Sequence, residues 1–183
     1  MKKGKVICFP TDTVYGLGTP LLDFDGIKRI YDIKGRNYDK PIAVLCSSMK
    51  QIEQFAVMND EARIIGKAFW PGALTLILPT KPSYYEKTGE KTIGVRIPNH
   101  LTALKIIKKL GPMKTTSMNQ SGEKELNDYQ EIKDKYGHLL NKVYPNDQEI
   151  LKIASTVVLI TDEIKILREG SITKEMIVKS LKK

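Results

Sequence analysis

Hydrophobic and polar positions along the 183 residues follow two alternating periods. Short apolar and β-branched runs predict strands at Val6–Phe9 (ending at Pro10), Ile42–Cys46, Ala73–Leu78, Thr92–Ile97, Met113–Thr116, Thr156–Thr161 and Ile164–Leu167. Between them the apolar residues recur at helical spacing. Asp23 is the expected cap of a helix to about Lys34, with Ile27, Ile30 and Tyr31 on one face and Gly35 past its end. Ser48 and Gln51 have capping-box spacing for a helix that follows. Further helices are expected at about Asp60–Phe69, stopping before Pro71-Gly72, and at Leu101–Leu110, closed by Gly111-Pro112. Asn127 is the expected cap of a helix through Tyr136, and a final helix begins near Thr173. The stretch between the Ala73 and Thr92 strands, with Pro79, Pro82 and Gly89, reads as loop. Interleaved elements of this kind predict a layered α/β (α+β) fold, and with no repeat or long linker the expectation is one domain over 1–183.

Composition changes this picture little: 41% hydrophobic and 28% charged residues describe an ordinary globular chain, which excludes disordered, fibrous and membrane-spanning classes. Charge changes it more. Thirty Lys and Arg against 21 Asp and Glu leave +9, suited to nucleotides, nucleic acid or an anionic surface. The basic start MKKGKVICFP lacks the apolar length and cleavage site of a secretory signal, and ALTLIL is too short to span a bilayer. A cytoplasmic protein without membrane association is expected. Cys8 and Cys46, with only His100 and His138 to help them, do not have zinc-site spacing and read as core residues.

Two motif matches lead nowhere. Gly16-Leu-Gly18 opens like a dinucleotide fingerprint, but its third glycine position is Leu21. Ser47-Ser-Met-Lys50, Lys87-Thr-Gly89 and Ser117-Met-Asn119 match the three serine β-lactamase signatures, but in the wrong chain order.

Four other features coincide at element ends: PTDTVYGLG at 10–18, with Thr11, Asp12 and Thr13 expected to be exposed; Lys34-Gly-Arg36 with Lys40-Pro41; Thr115-Thr-Ser-Met-Asn119 with Ser121-Gly122; and Ser155-Thr156 with Arg168 and Gly170 beyond. Singly, each has a structural reading, such as a solvated helix end or a polar turn. Together they supply hydroxyls, an amide and cations, which bind anions, and almost no general base. That set favours phosphoryl or nucleotidyl transfer driven by positioning and charge neutralisation.

These blocks, with WPGALTLIL, VRIP, STVV and LREG, resemble the YrdC-type L-threonylcarbamoyladenylate synthases, in the family's order over about residues 5–172. The family's hallmark, K-x-R followed much later by S-x-N, is matched by Lys34/Arg36 and Ser117/Asn119. The resemblance implies a twisted mixed sheet flanked by helices, related to the dihydroxybutanone phosphate synthase fold, with a concave basic cavity. It implies formation of threonylcarbamoyl-AMP and pyrophosphate from L-threonine, bicarbonate and ATP. The product would pass to the machinery that makes threonylcarbamoyladenosine next to the tRNA anticodon. Thr13, Arg96, Thr115 and Ser155 would bind threonine; Arg36, Lys40, Thr92, Ser117, Asn119 and Arg168 would bind ATP. Lys34 would hold bicarbonate or the nascent carbamate, with Lys34, Arg36, Ser117 and Asn119 as the catalytic set. Mg2+ would arrive with ATP, since no acidic cluster is dedicated to metal, and no organic cofactor is implied.

The chain departs from the family pattern at Met118 (commonly Ala, expected beside the nucleotide), Leu159 (usually Asp), Ala154 (usually Pro) and the segment 138–153. It ends soon after the synthase core, so the longer variant's C-terminal domain is not expected. Two other readings compete. One is a non-catalytic double-stranded RNA or tRNA-binding module, which the +9 charge would serve but the 7% aromatic content does not favour. Weak tRNA binding is compatible with either. The other is the carbamoyltransferase of hydrogenase maturation, whose zinc-finger and acylphosphatase-like segments have no counterpart here.

Overall fold

A computed structural model describes residues 3–161 and 163–182. Nine strands form one mixed sheet: β1 (Ile7–Phe9), β2 (Gly16–Pro20), β3 (Ala43–Leu45), β4 (Leu74–Pro79), β5 (Thr92–Arg96), β6 (Met113–Ser117), β7 (Lys142–Val143), β8 (Thr156–Ile160) and β9 (Ile164–Arg168). Their order across the sheet is β7-β1-β2-β6-β3-β5-β4-β8-β9. The pairs β1–β7, β3–β5 and β4–β8 are parallel and the others antiparallel.

The helices are α1 (Phe24–Lys34), α2 (Met49–Ile52), α3 (Asp60–Phe69), α4 (Pro82–Thr88), α5 (Leu101–Leu110), α6 (Tyr129–Tyr136) and α7 (Lys174–Leu181). Caps set several ends. The Asp23 side chain accepts from Gly26 N, and Gly35, at φ 56°, closes α1 in the left-handed conformation that glycine adopts without strain. Ser48 caps α2, but Gln51 Oε1 reaches Ser47 N rather than completing a capping box on Ser48. The expected cap Asn127 is replaced by its neighbour: Asp128 accepts from Glu131 N, and Asn127 Oδ1 accepts from Tyr15 N at 3.0 Å.

Three elements depart from the sequence expectation, one of them the short strand β7, which pairs with β1 where no strand is expected. The stretch read as loop after β4 contains α4, with Pro82 at its first turn and Gly89 at its C-terminal cap. GLGTP is a buried strand, β2, although glycine and proline are poor strand formers. Its glycines serve close packing: a Cβ on Gly18 would lie 2.7 Å from Phe9 Cε1 and 3.2 Å from Thr115 Oγ1.

Three apolar clusters hold the layers. The largest joins β3, β4, β5 and β8 to α3 and α7, with Ile65, Trp70, Leu74, Leu76, Val158 and Ile177. A second packs Cys8, Tyr15, Leu17, Ile30 and Ile132 between β1–β2 and α1 and α6. A third packs Phe9, Leu45 and Met113 against Ile106 and Ile107 of α5. Both cysteines are fully buried, as expected of core residues, and burial pushes their thiols up. Among the described residues no helix is long and apolar enough to cross a membrane.

Gly18→Ala is expected to lower the unfolding free energy by about 1–3 kcal/mol, because Phe9 and Thr115 must shift to admit the methyl group. Urea denaturation measures it, and an unchanged midpoint contradicts the close packing of β2.

Candidate active site

The period of two along each strand turns one set of side chains into core and leaves the alternate set over an open sheet face. On β4, Leu74, Leu76 and Leu78 enter the core while Thr75 and Ile77 face a cavity of about 410 Å³. Thr92, Gly94 and Arg96 of β5 and Thr115 and Ser117 of β6 also line it. Arg36, Thr13, Ser155 and Arg168 add to its polar wall. Eight of the eleven residues singled out from sequence therefore meet in one cavity; Lys34, Lys40 and Asn119 lie outside its lining.

The cavity has two ends. Arg96 is level with Leu45 of β3, and Leu45 with Met113 of β6, so Ser117 lies four residues further along the sheet, roughly 13 Å at the usual strand rise. At the first end Arg96 is only 6% exposed. It donates to Thr13 Oγ1 at 2.7 Å, Asp12 Oδ1 at 2.5 Å and Gly72 O at 3.0 Å. Burial pulls the guanidinium below its ordinary range, the Asp12 carboxylate opposes this, and Arg168 adds to it. Arg168 stands here too, donating to Ser155 O at 3.0 Å and Ser155 Oγ at 3.4 Å, and Ser155 shares a 2.8 Å hydrogen bond with Thr75 Oγ1. Thr115 Oγ1 donates to Met113 O.

The expected exposure of Thr11, Asp12 and Thr13 is corrected: all three are buried, at 4%, 7% and 2%. Their polar groups are satisfied inward, by Arg96 and by Thr11 Oγ1 donating to Val14 O, rather than by water. Asp12 and Thr75 were not among the candidate site residues. An acidic residue beside two threonines at a strand end is the only signal that points to Asp12, and an alternating strand position the only one for Thr75.

The second end joins the two halves of the K-x-R/S-x-N pattern. Lys34, 1% exposed at the end of α1, donates to Ser117 O at 2.6 Å, Asn119 O at 2.8 Å and Asn119 Oδ1 at 2.6 Å. Three donors thus meet three acceptors. Ser117 Oγ donates to the same Asn119 Oδ1 at 2.7 Å. In each half of the pattern one residue, Lys34 or Asn119, locks the back, and the other, Arg36 or Ser117, faces the cavity. Arg36 donates to Lys40 O and Pro41 O, which orients its guanidinium, while the Lys40 side chain is exposed. Thr92, also exposed, lies at this end as the first residue of β5. Glu125, not among the candidates, supplies a carboxylate to the lining. Burial pulls Lys34 down to about 8, with Arg36 adding to the effect and Glu125 opposing it.

Met118 is not beside the cavity, contrary to expectation. It is fully buried in the cluster with Tyr15 and Leu17, because strand alternation turns it away from Ser117. Leu159 shares the cavity-side alternation of Val157, in register with Ile77, and Ala154 lines the cavity.

The Sua5_yciO_yrdC family model, described as telomere recombination, matches residues 1–170. The chain belongs to the Sua5/YciO/YrdC family. Among curated Sua5/YciO/YrdC proteins, the threonylcarbamoyl-AMP synthase of Bacillus subtilis is 35% identical over 183 residues, covering 97% of this chain and 53% of the relative. That of Pyrococcus abyssi is 34% identical, covering 98% and 54%. The chain thus spans about half the length of these two relatives. The crystal structure of P. abyssi Sua5 complexed with L-threonine matches with a TM-score of 0.89 at 34% identity, over 97% of this chain and 54% of that one. Escherichia coli YciO matches with a TM-score of 0.81 at 27% identity, over 92% and 84%. These likenesses agree with the mixed-sheet fold implied by the sequence resemblance.

Two predictions follow the two ends of this Sua5/YciO/YrdC cavity. Asp12→Ala leaves the buried Arg96 charge uncompensated and is expected to cost about 3–5 kcal/mol of unfolding free energy in urea. A cost below 1 kcal/mol contradicts the pairing. Lys34 titrates near 10.5 when unfolded and near 8 when folded, so between those values the unfolded chain holds the extra proton. Its contribution to stability therefore rises with pH across that window and is absent below it. The unfolding free energy of the wild type minus that of Lys34→Met is expected to rise by on the order of 3 kcal/mol from pH 7.5 to 10.5. A flat difference contradicts the burial of the ammonium.

Proposed function

We propose that this chain is an enzyme of the nucleotidyltransferase class, an L-threonylcarbamoyladenylate synthase that forms threonylcarbamoyl-AMP and pyrophosphate from L-threonine, bicarbonate and ATP. The observation that carries the reading is a single cavity with Arg96 and Arg168 at one end and Arg36 at the other, the levels of Arg96 and Ser117 lying roughly 13 Å apart along the sheet, which suits an amino acid at one end and a nucleotide triphosphate at the other. The names of the relatives and the L-threonine bound in P. abyssi Sua5 support the choice of substrate.

In this reading threonine occupies the Arg96 end. Arg96 meets its carboxylate, and Thr13, Thr115 and Ser155 meet its polar groups. The threonine amine forms a C–N bond with bicarbonate and water leaves, giving N-carboxythreonine. A carboxylate oxygen of that group then bonds to the α-phosphorus of ATP, and the bond to pyrophosphate breaks. Arg36 offsets the charge growing on the phosphate. Thr92 and Lys40 flank the nucleotide, and Arg168, on the strand beside Ser155, reaches it from the threonine side. Lys34 and Asn119 contribute from behind: with its three donors spent on the 117–119 turn, Lys34 holds Ser117 in place and sets a positive field where carboxylate and phosphate meet. Magnesium bound with ATP would supply charge neutralisation for the leaving pyrophosphate. The product would feed threonylcarbamoyladenosine formation on tRNA.

The test incubates the chain with ATP, Mg2+, bicarbonate and radiolabelled L-threonine. Pyrophosphate and labelled threonylcarbamoyl-AMP are expected only with all three substrates, and Arg36→Ala is expected to slow turnover about a hundredfold with folding intact. Salt-sensitive RNA binding with no ATP-dependent product would replace the synthase with the RNA-binding module.

A further inference from the structure

At the Arg36 end, two oxygens on the cavity wall have no proton to offer a ligand. Ser117 Oγ gives its one proton to Asn119 Oδ1 at 2.7 Å. The amide cannot be reversed, because Asn119 Nδ2 donates to Glu123 O at 2.7 Å and Lys34 Nζ donates to Asn119 Oδ1 at 2.6 Å. Ser117 therefore shows the cavity only lone pairs. Among the described residues Glu125 is the one carboxylate in the lining, is half-buried and makes no ion pair. A carboxylate without an ion-pair partner at the Arg36 end would by itself repel a triphosphate.

A hydroxyl oxygen and a carboxylate, both acceptors, form an oxygen set for a hard divalent cation. Mg2+ commonly takes one or two such protein ligands and fills its octahedron with phosphate oxygens and water. A Ser or Thr hydroxyl with one carboxylate is also how P-loop enzymes hold it. We propose that Ser117 Oγ and Glu125 are the protein's share of a magnesium site completed by the phosphates of bound ATP, an inference that rests on the synthase reading of the cavity. No group of three His, Cys, Asp or Glu able to hold a metal occurs among the described residues, so the cation binds with the nucleotide and not ahead of it. An amino acid's ammonium would suit the same two acceptors. However, Arg96, the partner for its carboxylate, is roughly 13 Å away along the sheet, several times the charge separation in an α-amino acid.

The test is calorimetric titration of ATP into the wild type, Glu125→Gln and Ser117→Ala, in EDTA and in Mg2+, with L-threonine titrated as the folding control. The paramagnetic resonance of Mn2+·ATP is recorded on the same proteins. In the wild type Mg2+ is expected to tighten ATP binding. Glu125→Gln is expected to lose about tenfold of that gain, to bind metal-free ATP as well or better, and to leave threonine affinity intact. Ser117→Ala is expected to lose part of the same gain, and Glu125→Gln to abolish the protein-induced change in the Mn2+ spectrum. Equal weakening of ATP with and without metal would make Glu125 a direct nucleotide contact and overturn the site. An undiminished Mg2+ gain, or a loss of threonine affinity alone, would also overturn it. Failure of the wild type to bind ATP under either condition would overturn the synthase reading and the site together.

Discussion

The buried ammonium of Lys34 is the constraint around which the rest of the site is arranged. Removing such a charge from water costs several kcal/mol, so it persists only where strong acceptors replace the lost hydration. Here they are Ser117 O, Asn119 O and Asn119 Oδ1, all contributed by one turn after β6. The backbone binds the same two segments together: Ser121 N donates to Lys34 O, and Gln120 Nε2 donates to Ile33 O. The end of α1 and the 117–121 turn therefore form one unit. Gly35 lets the chain reverse at that point, Arg36 N donates back to Tyr31 O, and the Arg36 side chain is delivered to the cavity wall.

At the other end, Arg96 plays a comparable part with a different partner. It ties Asp12 and Thr13, before β2, to Gly72, before β4, three segments distant in sequence. The sheet supplies the spacing between the two charged ends, and strand alternation supplies a floor of small or short side chains: Ala43, Gly94, Thr115 and Thr75. Such a floor leaves room for a ligand where larger residues would fill the space. The cavity is a consequence of residue size on the uncovered sheet face as much as of charge at its ends.

Much of this is legible in the sequence, where local physics decides the outcome. Helix α1 is announced by Asp23 and Gly35, α5 by an apolar face closed with Gly111, and the strands around Leu76 and Val158 by β-branched runs. Elements whose reason is tertiary are not. Strand β2 looks like a turn because its glycines are needed for approach to Phe9 and Thr115, which sequence spacing does not reveal. Helix α4 is hidden because Pro82 and Gly89, its first-turn proline and closing glycine, also punctuate loops. In the site, motif order brings together Thr13, Arg36, Arg96 and Ser117. It cannot tell which of two alternating residues faces inward, so Met118 is misread and the back-to-back locking of Lys34 on Asn119 is invisible. Glu125 sits in no motif and becomes visible only once the fold brings it into the cavity lining.

The direct measurement of the Lys34 lock is nitrogen-15 NMR of the lysine side-chain ammonium groups near pH 6.5, before and after addition of bicarbonate and L-threonine. Surface ammonium protons exchange with water too fast to persist, whereas one held by three short hydrogen bonds exchanges slowly. The account predicts a protected ammonium signal that disappears in Lys34→Arg and survives both additions. A Lys34 signal that exchanges like those of the surface lysines, or that is displaced by bicarbonate, would contradict it.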